Sequence, residues 1–228
     1  MERENTNIHV LELTSYMRPE IIEDARNEWV TFGEDNSGYN EIIERYKGST
    51  TNGAIINNVS RLCYGRGLDA LDSSKKPNDF AVMKTLFKPN MLRSAFLNEY
   101  MLGTGYLQVI YNKNHTAITR VETVKTKHVA PEKCNKDGII EGYFYSDNWE
   151  NTREFPPVRY AAFGTSKNDI EILPFGKESI DLKYFSEVDF QAALPYALLE
   201  EEIANYLINN TQNRFSAGKI INFNNGAP

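Results

Sequence analysis

The clearest change of hydrophobic period in the chain lies between Asn90 and Tyr111. Met91, Leu92, Ala95, Phe96, Tyr100 and Met101 recur at three- and four-residue steps, which predicts one side of a helix from about Asn90 to Leu102. Gly103-Thr104-Gly105 breaks that period. Tyr106-Leu107-Gln108-Val109-Ile110-Tyr111 follows, a run of aromatic and aliphatic residues suited to a pleated, half-buried surface. Helix, glycine stop and strand in direct succession, both elements apolar enough to bury, mark the middle of a mixed core.

Upstream, the alternation from Ile8 to Leu13 allows a short strand, and Pro19 stands where a first helical turn accepts it, predicting a helix from Glu20 to about Trp29. Gly33 to Gly38 is a loop by composition. Between Tyr39 and Cys63, Ile42, Ile43, Tyr46, Ile55, Ile56, Val59 and Leu62 predict two helices, interrupted by Gly48-Ser49-Thr50-Thr51-Asn52-Gly53. Thr51 or Asn52 is the expected cap of the second, and Gly65-Arg66-Gly67 its stop. Asp69 to Pro77 reads as a charged surface connection, and Asp79 to Leu86 as a helix.

Beyond Tyr111 the runs shorten and alternate. Strands are predicted over Ala117 to Val124, Ile139 to Tyr145, Val158 to Phe163 and Ile170 to Leu173, with one more over Asp181 to Tyr184. Asn135 to Gly138 and Gly164 to Asp169 supply turns. The connections are too short for crossover helices, so antiparallel pairing is expected.

A long helix follows, from about Pro195 to Asn213. Tyr196, Leu199, Ile203, Tyr206 and Leu207 share one face, Glu201, Glu202 and Asn205 the other, with Glu200 at the boundary. Read as the core face, that stripe makes Leu199→Asp destabilising by several kcal/mol. Lys219 to Phe223 reads as a further strand followed by turn residues, which normally introduce a partner strand. The chain is thus expected to be the front part of a longer protein. The resulting fold class is α+β, helices packed on a mainly antiparallel sheet, with 1–105 mainly helical, 106–185 mainly strands and a long helix within 190–215.

Composition adds limits. A chain of 228 residues with 41% hydrophobic and 25% charged residues is ordinary for a globular protein and long enough to bury roughly 70% of its unfolded surface. Its formal net charge of −6 gives no reason to expect a tight grip on polyanions. Two cysteines, Cys63 and Cys134, make no disulfide framework. The polar start Met-Glu-Arg-Glu-Asn-Thr-Asn precedes no apolar run of signal-peptide length, and no stretch approaches the ~18 apolar residues of a membrane span. A cytoplasmic setting is expected.

Candidate chemistry is sparse. Gly65-Arg66-Gly67 and Gly103-Thr104-Gly105 each contain G-x-G, but a phosphate loop follows a strand and opens a helix, whereas these follow predicted helices. His128 and Cys134 lie six apart without the further ligands a structural zinc needs, and without a visible activating partner for a nucleophilic thiol. His9 and His115 are isolated. Glu200, Glu201 and Glu202, with Glu187 and Asp189 upstream, are rich in carboxylate. Consecutive helical positions fan out by about 100° each and cannot converge on one cation, so a solvated face is the expectation. The sequons at Asn58, Asn114 and Asn209 carry no weight without a secretory signal. No catalytic residue, cofactor or metal ligand is assigned.

The order and wording of these segments resemble the N-terminal wing region of tailed-phage portal proteins. The likeness runs through Trp29-Val30-Thr31-Phe32-Gly33-Glu34-Asp35-Asn36, Tyr39 to Tyr46 and Ser49, Tyr64-Gly65-Arg66-Gly67-Leu68 and Gly103-Thr104-Gly105-Tyr106. It continues in Tyr143 to Trp149, in Tyr184-Phe185 through Pro195-Tyr196, in Asn209-Asn210, and in Phe215 and Gly218 before Ile220-Ile221. Their shared order, rather than any single motif, carries it.

The resemblance implies a non-enzymatic subunit of a dodecameric ring at one capsid vertex, present in the virion and, during assembly, in the host cytoplasm. Such rings form the channel for genome entry and exit and dock terminase, capsid and tail-connector proteins. The family's stem, clip and crown follow the region seen here, so no DNA-contacting residue is assigned, and no membrane partner is implied. Two other readings stand beside it: a cytoplasmic α+β interaction domain unrelated to phage, with the Tyr196, Leu199 and Ile203 face as core or partner surface, and an enzyme using Cys63, Cys134 or His128.

Overall fold

The computed structural model describes residues 19–165, 168–177, 179 and 183–212. The strands expected at Ile8 to Leu13 and Lys219 to Phe223 lie outside the described residues, as do Asp181 and Leu182 of a third. Lys183 and Tyr184, the rest of that third strand, form a bend.

The helix, glycine stop and strand stand at the centre as expected. Helix α4 (Pro89–Leu102) ends at Gly103, whose φ of +79 and close approach to the Ser186 carbonyl leave no room for a side chain. Only Gly103 acts as the stop, because Thr104 and Gly105 already belong to strand β3 (Thr104–Tyr111). Strand β3 sits between β4 (Ile118–Val124) and β8 (Ile170–Gly176), antiparallel to both. Being interior, it buries both faces. Tyr106 packs with Val129, Tyr143 and Ile172 on one side, and Leu107 packs with Val121 and with Ala95 of α4 on the other.

The sheet continues through β7 (Val158–Ala162) and β6 (Gly142–Tyr145) to β5 (Val129–Pro131), giving the order β4-β3-β8-β7-β6-β5. All pairs are antiparallel except β7 with β8. That parallel pair was not anticipated. It spans only Ala161↔Glu171 and Ala162↔Ile172, so the returning chain covers a short offset and needs no crossover helix.

The helix predicted over Glu20 to Trp29 does not form. In its place are the two-residue strands β1 (Ile21–Ile22) and β2 (Thr31–Phe32), with Trp29 bridged to Glu132. Two forces override the helical period. Asp24 Oδ1 accepts the Arg26 amide at 2.9 Å, a local turn that competes with helix, and Gly33 N donates to Glu20 O at 2.7 Å. The apolar positions then serve a tertiary purpose, with Trp29 packing on Phe144 and Trp149 at ring-centroid distances of 5.3 and 5.8 Å.

Helices α1 (Ser37–Gly48) and α2 (Thr50–Tyr64) follow, separated by Ser49 alone. Ser49, not Thr51 or Asn52, caps α2, its Oγ accepting the Asn52 amide at 3.0 Å. Gly65 ends α2 at φ +54. After α3 (Pro77–Leu86), α2 packs along α4. The last helix, α5 (Leu194–Gln212), lies against α1. The core between α1, α4 and α5 is built from Tyr39, Ile42, Leu102, Phe185 and Leu194. Among the described residues this is an α+β fold, with five α-helices and a six-stranded, mainly antiparallel sheet.

Candidate functional site

Helix α5 is mounted the opposite way from the sequence expectation. Residues 194, 197 and 201 share one side at helical spacing. On that side Leu194 and Ala197 are buried, and Glu201 Oε2 accepts from Arg45 Nη1 of α1 at 2.6 Å. The small side chain of Ala197 permits the close approach. Gly48 does the same from α1, since the Glu201 carboxylate fills the space a Cβ there would occupy.

Glu200 holds the adjoining edge. Its carboxylate accepts from Ser49 Oγ, from Thr51 Oγ1 at 2.9 Å and from the Thr51 amide at 3.2 Å, tying α5 to the first turn of α2. These hydrogen bonds, Ser49 first and Thr51 second, hold its pKa below the usual glutamate value. A carboxylate at a helix N-terminus also meets the positive end of the helix dipole. Two of the three consecutive glutamates therefore form a polar tether to the helical corner rather than a solvated face.

The opposite side of α5 is apolar and open. Tyr196, Leu199, Ile203, Tyr206 and Leu207 are all at least half exposed, Tyr196 at 73% and Tyr206 at 68%. The expected core stripe thus exists as a stripe but is not buried: up to Glu201 it lies opposite the packed side, and residues 202–209 are exposed on every side of the helix, Ile208 at 53% among them. The period identified which residues share a face. The pointers to the inward side were the small residue Ala197 and the glutamates Glu200 and Glu201, with Arg45 available on α1.

The residues with conventional chemistry stay apart. His128 Nδ1 lies 3.0 Å from the Ser146 backbone oxygen, with its ring beside Tyr145. It borders an open cleft of about 520 Å³ with Gln108, Lys125, Asp147 and Tyr160. Burial, with help from the 2.7 Å hydrogen bond to Asp147, pushes Tyr145 up to about 12. Cys134 belongs to another environment, its Sγ 3.3 Å from the Tyr184 hydroxyl. Lys183 and then Tyr184, as hydrogen-bond partners, draw the thiol below its ordinary value. Gly65 and Gly103 end helices as expected, and Gly105 lies within β3 beneath the Phe175 ring. Among the described residues, no group of three or more His, Cys, Asp or Glu could hold a metal ion, and no helix is long and apolar enough to cross a membrane.

No protein-family model and no curated protein matches this chain. Solved structures do. A chain described as "Neck of empty GTA particle computed with C6 symmetry" superposes with a TM-score of 0.64 at 11% identity, over 80% of this chain and 47% of that one. One from "Virion of native gene transfer agent (GTA) particle" gives 0.59 at 12% identity, over 80% and 46%. At such identities the likeness is one of fold. This chain spans about half the length of the solved chains it matches.

Proposed function

We infer that the protein is a structural subunit of a phage-type particle, contributing the wing of a portal ring at the capsid vertex. The observation that carries this reading is the fold shared over 80% of the chain with gene transfer agent neck and virion chains. The ordered segments that resemble portal wings, from Trp29 to the end of α5, support it independently. In this role the protein acts without catalysis. The ring surrounds the channel for genome packaging and release, and docks terminase and the tail connector.

The described surface suits such work. An apolar helix face standing away from the body is a protein-contact surface, and exposed apolar patches of this kind mark interaction sites. The same face also fits the second reading, an interaction domain unconnected with phage. Labelling intact particles with an antibody against this chain distinguishes the two. Label at a single vertex supports the portal reading, whereas absence from particles, or label spread over the shell, overturns it.

A further inference from the structure

Helix α2 carries an unpartnered stripe of its own. Ile55 and Leu62 are 51% and 78% exposed, and half-buried Val59 lies between them at helical spacing. We propose that the outward stripe of α5 in one copy of the chain packs on this α2 stripe of the next copy, a head-to-tail contact between neighbouring subunits.

Charge selects the partner. Among residues 194–212 the charged side chains are Glu200, Glu201 and Glu202, with no basic residue. Glu200 and Glu201 are engaged in the tether, while Glu202 is exposed beside the stripe with no partner among the described residues. Two α5 stripes packed face to face would set Glu202 against Glu202 with no cation in either helix. Helix α2 offers the complement: its charged residue is Arg61, exposed and unpaired among the described residues, with Arg66 just beyond its end. Attraction at the rim and apolar burial at the centre then favour α5 on α2.

Geometry makes the contact intermolecular. Within one chain α5 meets the α1–α2 corner through Leu194, Ala197, Glu200 and Glu201, and both stripes stay open to a neighbouring molecule, with Ile203 at 50% and Leu62 at 78% exposure. Each copy therefore presents one stripe of each kind on different patches. Such a heterologous contact propagates and closes into a ring when the rotation permits. This rests on the ring-subunit reading and deepens it by naming the contact.

The test uses two variants of the 228-residue chain, Ile203→Asp and Leu62→Asp, with sedimentation analysis across concentration. Both sites are exposed, and circular dichroism confirms an unchanged fold. The wild type is expected to self-associate, and each variant to weaken association roughly thirtyfold or more, the size of a hot-spot loss. An equimolar mixture should form a one-to-one dimer and stop, because only one intact pair of stripes remains. Self-association of Leu62→Asp at the wild-type level would overturn the proposal in favour of α5 pairing with α5. A wild-type chain that stays monomeric at every accessible concentration would also overturn it. Rings of the full-length product that survive both substitutions would refute this contact while leaving the portal reading intact. Absence of rings from the full-length product would refute the reading itself.

Discussion

Glu201 of α5 and Arg45 of α1 meet with 2.6 Å between Oε2 and Nη1, and the carboxylate occupies the volume that a side chain at Gly48 would need. Arg45 is largely buried, at 15% side-chain exposure; Glu201 compensates its charge from across the helix interface, with exposed Glu44 of α1 a more distant second carboxylate at 3.8 Å. The pair fixes which side of α5 faces the body and consequently which side faces out.

Removing the cation should loosen that mounting. Arg45→Met leaves the Glu201 carboxylate unpaired against α1, and the expected cost is about 1–3 kcal/mol in urea denaturation. Hydrogen exchange should locate the effect, with faster exchange in α5 and unchanged exchange in β3.

The Glu200 tether should respond to acid. Its folded pKa lies below the unfolded value of 4.5, so its contribution is fully present above pH 4.5 and is lost as pH falls through the folded value. The protection of α5 amides, taken against their intrinsic exchange rates at each pH, should therefore fall below pH 4.5. Ser49→Ala removes the principal hydroxyl donor and the α2 cap together. It should flatten this acid response and cost about 1 kcal/mol at neutral pH.

The two sides of α5 should answer oppositely to substitution. Leu194→Ala, at a fully buried position, should cost about 2–5 kcal/mol. Leu199→Asp, expected from the sequence to be severe, lies at a position 53% exposed and should change monomer stability by no more than about 0.5 kcal/mol. Thermal melting of the two variants side by side checks both.

Gly103→Ala tests the junction between α4 and β3. The positive φ costs a side chain about 1–3 kcal/mol. Displacing the Ser186 backbone from the new methyl adds about another 1–3 kcal/mol. A midpoint shift in denaturant corresponding to the sum is expected.

The α4–β3 unit was legible because its two periods are local: a three-to-four-residue step up to Leu102, a glycine, and then a run apolar on both faces. The segment from Glu20 to Trp29 was not, because what decides it is distant. Glu132, Phe144 and Trp149 recruit Trp29 from more than a hundred residues away, and no window of sequence contains them. The inversion of α5 has a different cause. Periodicity assigns Leu199 and Ile203 to one face but does not say whether that face turns inward. In this fold Arg45 and the Ser49 cap draw the glutamate side inward instead. Cys134 and His128, close in sequence, are separated by their partners Tyr184 and Ser146, which spacing alone does not reveal.

The role proposed for this chain is that of a ring-forming structural subunit. Electron microscopy of the purified full-length gene product tests it most directly. Closed rings with an axial channel, their outer density matching the α+β body described here, are the predicted result. A monodisperse monomer under every condition examined would contradict it.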